Sequence, residues 1–148
     1  MNFGSSFGIS ASALTAQRLR MDVISSNVAN AETTRASVVD GKAVPYRRKL
    51  VVLETNESNK FSNILNSKMN NSNEGVKVQS IIEDSSPLKP VYNPSHPDAD
   101  ADGYVYMPNV DITKEMVDML SASRSYDANV TMLNASKAMV SKALEIGR

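Results

Sequence analysis

The residues best placed to do chemistry are three carboxylates at alternate positions, Asp98-Ala99-Asp100-Ala101-Asp102, followed by Gly103. A calcium loop of the EF-hand type opens this way, with hard oxygen ligands for a hard cation and a glycine at the sixth position for the sharp turn. The rest of that loop is missing. Its twelfth position, where a bidentate Glu closes the site, is Asn109, and its eleventh is Pro108. The preceding Pro94-Ser95-His96-Pro97 cannot be the entering helix, because proline has no N–H and obstructs the turn before it. Asp98, Asp100 and Asp102 are weak metal candidates set against a solvated acidic turn in which Gly103 permits positive φ. No cofactor is expected.

The other reactive groups are scattered. His96 is the only histidine and there is no cysteine, so neither a zinc set nor a thiolate nucleophile can be assembled. No serine sits in a Gly-x-Ser-x-Gly elbow, and a triad would depend wholly on a loop histidine. The six glycines form neither a Walker loop nor a dinucleotide fingerprint. Arg47-Arg48-Lys49 is basic but short and without interleaved aromatics, which reads as a solvated strand face rather than a nucleic-acid contact. Sixteen Lys and Arg balance sixteen Asp and Glu, so no net field draws nucleic acid or an anionic membrane. The chain reads as no enzyme.

No stretch approaches ~18 consecutive apolar residues, the length a membrane-spanning helix needs, and direct membrane insertion is not expected. MNFGSSFGISASAL has no basic region and no unbroken apolar run, so no cleaved secretory signal is expected either. Aromatics are 5% and Trp is absent, leaving a single large core short of its usual bulky fillers. Burial is therefore expected to rest on contacts between subunits.

Periodicity supplies those contacts. Phe7, Leu14, Met21 and Val28 recur every seven residues, with Ile24 and Ala31 on the offset row and Ser10 and Gln17 interrupting it. A helix over about Ile9 to Ala31 would be roughly 35 Å long. Ile112, Met119, Tyr126, Leu133 and Val140 repeat likewise, with Met116, Val130 and Leu144 as companions and Ser123 and Lys137 as interruptions. That second helix runs from Asp111 to Ile146, roughly 50 Å, and Gly147 follows it as a favoured stop. Helices this long need partners along most of their length. Their methionines, Met116, Met119, Met132 and Met139 on the second and Met21 on the first, read equally as core fillers and as flexible side chains suited to non-identical neighbours. Arg18, Arg20 and Arg124 lie off the apolar rows, and Asp22, Asp118 and Asp127 are available to pair with such arginines between subunits.

Between the helices the texture changes to short β-rich runs at Tyr46 to Leu53, Gly75 to Ile82 and Gly103 to Met107. Thr55 to Glu74 is dominated by Asn and Ser and reads as a mobile loop or an insertion. Five of the six prolines, Pro87, Pro90, Pro94, Pro97 and Pro108, crowd the approach to the last helix and suggest an extended, semi-rigid connector. The expected organisation is an N-terminal axial helix over 1–34, a small β-rich region over 35–110 containing the loop 55–74, and a C-terminal axial helix over 111–148. The fold class is α+β, the two long helices pairing antiparallel as a coiled-coil-like hairpin around the β-rich region.

The stretch Ala13-Leu14-Thr15-Ala16-Gln17-Arg18-Leu19-Arg20-Met21-Asp22-Val23-Ile24-Ser25-Ser26-Asn27-Val28-Ala29-Asn30-Ala31-Glu32-Thr33-Thr34 resembles the signature of the flagellar basal-body rod proteins, members of the rod and hook axial family. Tyr46-Arg47-Arg48-Lys49, Gly75-Val76-Lys77-Val78, Ile82-Glu83-Asp84, Asn93-Pro94-Ser95-His96-Pro97-Asp98-Ala99, Gly103 to Val110 and Met119 to Val130 are similar to the proximal-rod branch of that family. Departures concentrate between Thr55 and Glu74.

The resemblance implies a structural subunit of the bacterial flagellar basal body, outside the cytoplasmic membrane. It would self-assemble through its terminal helices into the torque-transmitting drive shaft and export channel required for motility. It implies export through the flagellar type III apparatus, and as partners further copies of itself and rod subunits of the FlgB, FlgF and FlgG types. Leu14, Met21, Ile24, Val28, Met116, Met119, Tyr126, Val130, Leu133 and Val140 would be the packing residues of assembly. Gln17, Arg18, Asp22, Asn27, Asn30, Arg124 and Asn129 would be its polar interface groups. Another axial subunit of the rod or hook, or a calcium-binding helical module, are the other functions the residues allow.

Overall fold

The computed structural model describes residues 3–39, 42–56 and 75–146. Among the described residues two helices flank, in chain order, three two-stranded sheets, an α+β arrangement. Helix α1 spans Phe3–Ala29 and helix α2 spans Ile112–Ile146. Between them lie β1 (Ser37–Val39), β2 (Lys42–Val44), β3 (Lys49–Thr55), β4 (Val76–Glu83), β5 (Lys89–Tyr92) and β6 (Tyr104–Met107). The part of the Asn- and Ser-rich stretch from 57 to 74 lies outside the described residues.

Helix α1 starts six residues earlier than the apolar row predicts, passing through Gly4 and Gly8. Glycine costs a helix only ~1 kcal/mol relative to alanine and makes no clash, so it weakens a turn without ending it. The exit is chemical: the Asn30 side chain donates to the Ser26 carbonyl at 2.9 Å, and Thr33 Oγ1 donates to Asn30 Oδ1 at 3.2 Å. The Val28 and Asn30 carbonyls are taken up by the turn that follows, accepting from Ala31 N and Thr33 N, each at 3.2 Å. At the start of α2, Asp111 Oδ1 accepts from the backbone N–H of Thr113 at 3.0 Å and of Lys114 at 3.4 Å, the N-cap arrangement.

The sheets are local pairings. β1 and β2 are antiparallel, with Val38 opposite Ala43, and the sequence places Asp40-Gly41 between them, a dipeptide suited to tight hairpins. β3 pairs with β4, and bonds from Asp84 N to Arg48 O and from Asn56 N to Gly75 O bracket the run. β5 and β6 are antiparallel, with Pro90 opposite Tyr106. The proline-rich connector thus contains a strand. In a two-stranded sheet each strand has a free edge, where a missing N–H breaks no ladder bond.

By contacts the chain forms two compact units, each built from separated segments. One comprises Met1–Leu19, Val52–Ser80 and Ser121–Arg148. In it Ala16 and Ala122 are buried, and Ser12 Oγ accepts from Val76 N at 3.1 Å while donating to the Ile9 carbonyl at 2.8 Å. The other comprises Arg20–Val51 and Ile81–Leu120. Its interior is Val23, Ile24, Tyr46, Val105, Pro108 and Val110 together with three polar residues, Asn27, Arg48 and Glu115.

Candidate functional site

Within the second unit those three polar residues form one buried knot. Glu115, in the first turn of α2, has no exposed surface, and Asn27 on α1 is 1% exposed. Arg48, immediately before β3, donates from Nε to Glu115 Oε1 at 2.6 Å and from an Nη to Asp118 Oδ2 at 3.3 Å. Its other Nη lies 3.7 Å from Asp84 Oδ2 at the end of β4. One guanidinium thus serves three carboxylates, a fork geometry that a lysine cannot reproduce.

Asn27 completes the second side of Glu115. Its Nδ2 donates to Glu115 Oε2 at 3.0 Å and to the Lys49 carbonyl at 2.9 Å. Its Oδ1 accepts from Lys49 N and from the Tyr46 hydroxyl, both at 2.9 Å. All four hydrogen-bonding positions of the amide are therefore used inside the chain. Asn109 works similarly from the segment before α2: Oδ1 accepts from Arg48 N at 2.8 Å, and Nδ2 donates to the carbonyls of Asp84 and Ser86 at 3.3 and 3.2 Å. The knot ties α1, the entry to β3, the end of β4 and the start of α2. Asp84 is held below the usual carboxylate range, first by the Ser86 hydroxyl, which donates to it at 2.6 Å, then by the Ser86 N–H and the charges of Arg48 and Lys114.

The acidic turn has a separate role. Asp98 is bound by Arg35 and accepts from Thr34 Oγ1 at 2.9 Å, and these two partners hold it below the usual carboxylate range. Gly103 has φ 79°, its N–H donates to the Asp100 carbonyl, and the Tyr104 carbonyl accepts from Asp100 N. Asp100 and Asp102 are exposed. Among the described residues no three His, Cys, Asp or Glu side chains are grouped to hold a metal ion.

The packing candidates divide by depth. Ile24 is buried; Leu14, Met21, Val28, Met119, Tyr126, Val130, Leu133 and Val140 are half-buried; Met116 is 64% exposed. Of the polar candidates, Arg18, Asp22 and Arg124 are exposed, and Asn27 lies in the knot. Asn30 caps α1, Asn129 donates back to the Ser125 carbonyl at 2.9 Å, and Gln17 keeps a buried Oε1 with no partner among the described residues.

Two readings of the charged residues are corrected. Arg47-Arg48-Lys49 is not a solvated strand face, since Arg48 is buried and precedes the strand. Asp118 is not free for a neighbour's arginine, since it already binds Arg48. Of the residues that make the knot, Glu115 carries no signal of its own in the sequence, while Arg48 and Asn109 are read there for other features. The only local hint is that Asn109 stands between Pro108 and Val110 at the end of an apolar run.

Known proteins match this chain from end to end. Residues 7–36 match the family described as "Flagella basal body rod protein", and residues 101–146 match "Flagellar basal body rod FlgEFG protein C-terminal". A protein of Bacillus subtilis (strain 168) named "Flagellar basal-body rod protein FlgC" is 59% identical, over 97% of each chain. Proteins of the same name from Borreliella burgdorferi and Escherichia coli O6:H1 are each 46% identical, the first over 99% of this chain and 98% of its own, the second over 96% of both. The chain belongs to the FlgC family of flagellar basal-body rod proteins.

Proposed function

We propose that the chain is a structural subunit of the proximal rod, polymerising through its terminal helices into the shaft that transmits torque and encloses the export channel. The reading rests on α2. This 35-residue helix leaves Met116, Val117, Leu120, Met132, Met139 and Leu144 more than half exposed, in a chain whose end-to-end relatives are named rod proteins. Apolar surface exposed along this much of a helix marks a contact with neighbouring subunits. In the rod, α1 and α2 pair antiparallel as a coiled-coil-like layer, with Leu14, Met21, Ile24, Val28, Met116, Met119, Tyr126, Val130, Leu133 and Val140 packing it. Gln17, Arg18, Asp22, Asn30, Arg124 and Asn129 line the contacts, and Asn27 acts from inside by holding α1 to α2.

The subunit works by assembly rather than catalysis. Its partners are its own copies and FlgB-, FlgF- and FlgG-type rod subunits, and it leaves the cytoplasm uncleaved through the flagellar type III apparatus. No described helix is long and apolar enough to cross a membrane, and the balanced charge of the sequence offers nothing to nucleic acid. Replacing Leu133 with Asp abolishes rod assembly in this reading; basal bodies isolated from that variant show it directly. Intact rods and normal swimming would refute the packing role.

A further inference from the structure

Two surfaces that the fold leaves open are complementary. On α2, Glu115, Met119, Ala122 and Tyr126 form the inward row, and at 3.6 residues per turn Val117, Leu120 and Arg124 stand on the opposite side. Val117 is 63% and Leu120 53% exposed, and among the described residues Arg124 is in no ion pair. The other surface is a cleft of about 480 Å³ between α1 and the β3–β4 pair. Ile81 and Ile82, each 47% exposed, supply apolar surface to it, and Asp22 and Glu83 line it with carboxylates that are in no ion pair among the described residues. Lys49 also lines it, with Nζ 5.7 Å from the Tyr46 ring centroid. Two carboxylates against one ammonium leave the cleft acidic.

We propose that the Val117–Leu120–Arg124 row of one copy seats in this cleft on the next copy, Val117 and Leu120 against Ile81 and Ile82, and the Arg124 guanidinium on Asp22 and Glu83. The proposal rests on the reading of the chain as a rod subunit and names a contact between its copies. A planar guanidinium can bridge two carboxylates, and covering the isoleucines takes water from the pair. The two patches share no residue, so each contact leaves an unused row on one copy and an unused cleft on the other. Such a heterologous contact propagates from copy to copy, into a ring or an open helical array.

The chain has no cysteine, which makes crosslinking selective. Two differently tagged full-length copies, one Ile82→Cys and one Leu120→Cys, would be co-expressed in motile cells and their rods purified and mildly oxidised. The expected product carries both tags and has the summed mass of the two tagged copies, each 16.1 kDa before its tag. Rods containing both copies without that product overturn the contact and leave the rod assignment intact, as does a linked species of another mass. If the wild-type chain itself is missing from rods, the assignment fails and the contact with it. A charge exchange needs no cysteines: Asp22→Arg and Arg124→Asp should each abolish swimming while the double variant regains it, and a double variant as defective as the singles also overturns the contact.

Discussion

Arg48 and Glu115 lie 67 positions apart in the chain and meet at 2.6 Å, with the carboxylate fully enclosed. Replacing one member of such a pair leaves the other charged, buried and unmatched, which costs about 3–5 kcal/mol. Arg48→Met and Glu115→Leu are each expected to destabilise by this order in urea unfolding monitored by circular dichroism. The double variant is expected to cost less than the sum, because neither member of the pair is left buried and unmatched and only the more exposed Asp84 and Asp118 lose a partner. Additive losses would show that the two residues do not act as a pair.

Asn27→Asp is expected to be worse than Asn27→Ala. Alanine removes four hydrogen bonds, whereas aspartate retains acceptors for Tyr46 and Lys49 but sets a second carboxylate about 3 Å from Glu115, where like charges repel. Both variants should melt several degrees below the parent by calorimetry, since 1 kcal/mol shifts a domain of this size by about 2–4 °C. Raising the pH from 4 to 7 should widen the gap between them as the new carboxylate ionises. A gap constant with pH would contradict the charge explanation.

Asp84 and Asp98 have folded pKa values below their unfolded ones, so their contribution to stability is complete above the unfolded value, about 3.9, and is lost as pH falls through the folded value. The urea midpoint is therefore expected to hold steady from pH 7 to 5 and to drop below about pH 4. Asp84→Asn with Asp98→Asn should lower the midpoint at pH 7 and flatten that acid decline. An unchanged acid slope in the double variant would assign the effect to other carboxylates.

A Cβ at Gly75 would fall 2.7 Å from Ser12 Oγ, the atom that accepts from Val76 N. The hydroxyl cannot retreat without loosening its bonds to both α1 and the strand. Gly75→Ala and Ser12→Ala are each expected to cost on the order of 1 kcal/mol, the usual worth of such bonds. Hydrogen exchange at the Val76 amide should accelerate in both, while exchange at Lys49, whose amide is bonded to Asn27, stays as in the parent. Acceleration at Lys49 as well would indicate general loosening.

The long helices, the existence of strands in the three β-rich runs and the acidic turn at Gly103 were legible because each follows from neighbours in sequence. Apolar spacing, β-branched residues and a permissive glycine are local signals. The β1–β2 pairing has little local signal, because its strands are only three residues each. The strand Lys89–Tyr92 was obscured by Pro90, whose edge position no local pattern announces.

The amino-acid sequence by itself determined the family and the two helices. Only the tertiary structure decided that Arg48 is buried rather than solvated, that Asp118 is already paired, and that Asn27, Asn109 and Glu115 share one knot. The physical reason is that a charge can leave water only where its partners converge. Here those partners come from a helix end, two strand ends and a helix start, brought together by the backbone path and not by spacing in the chain.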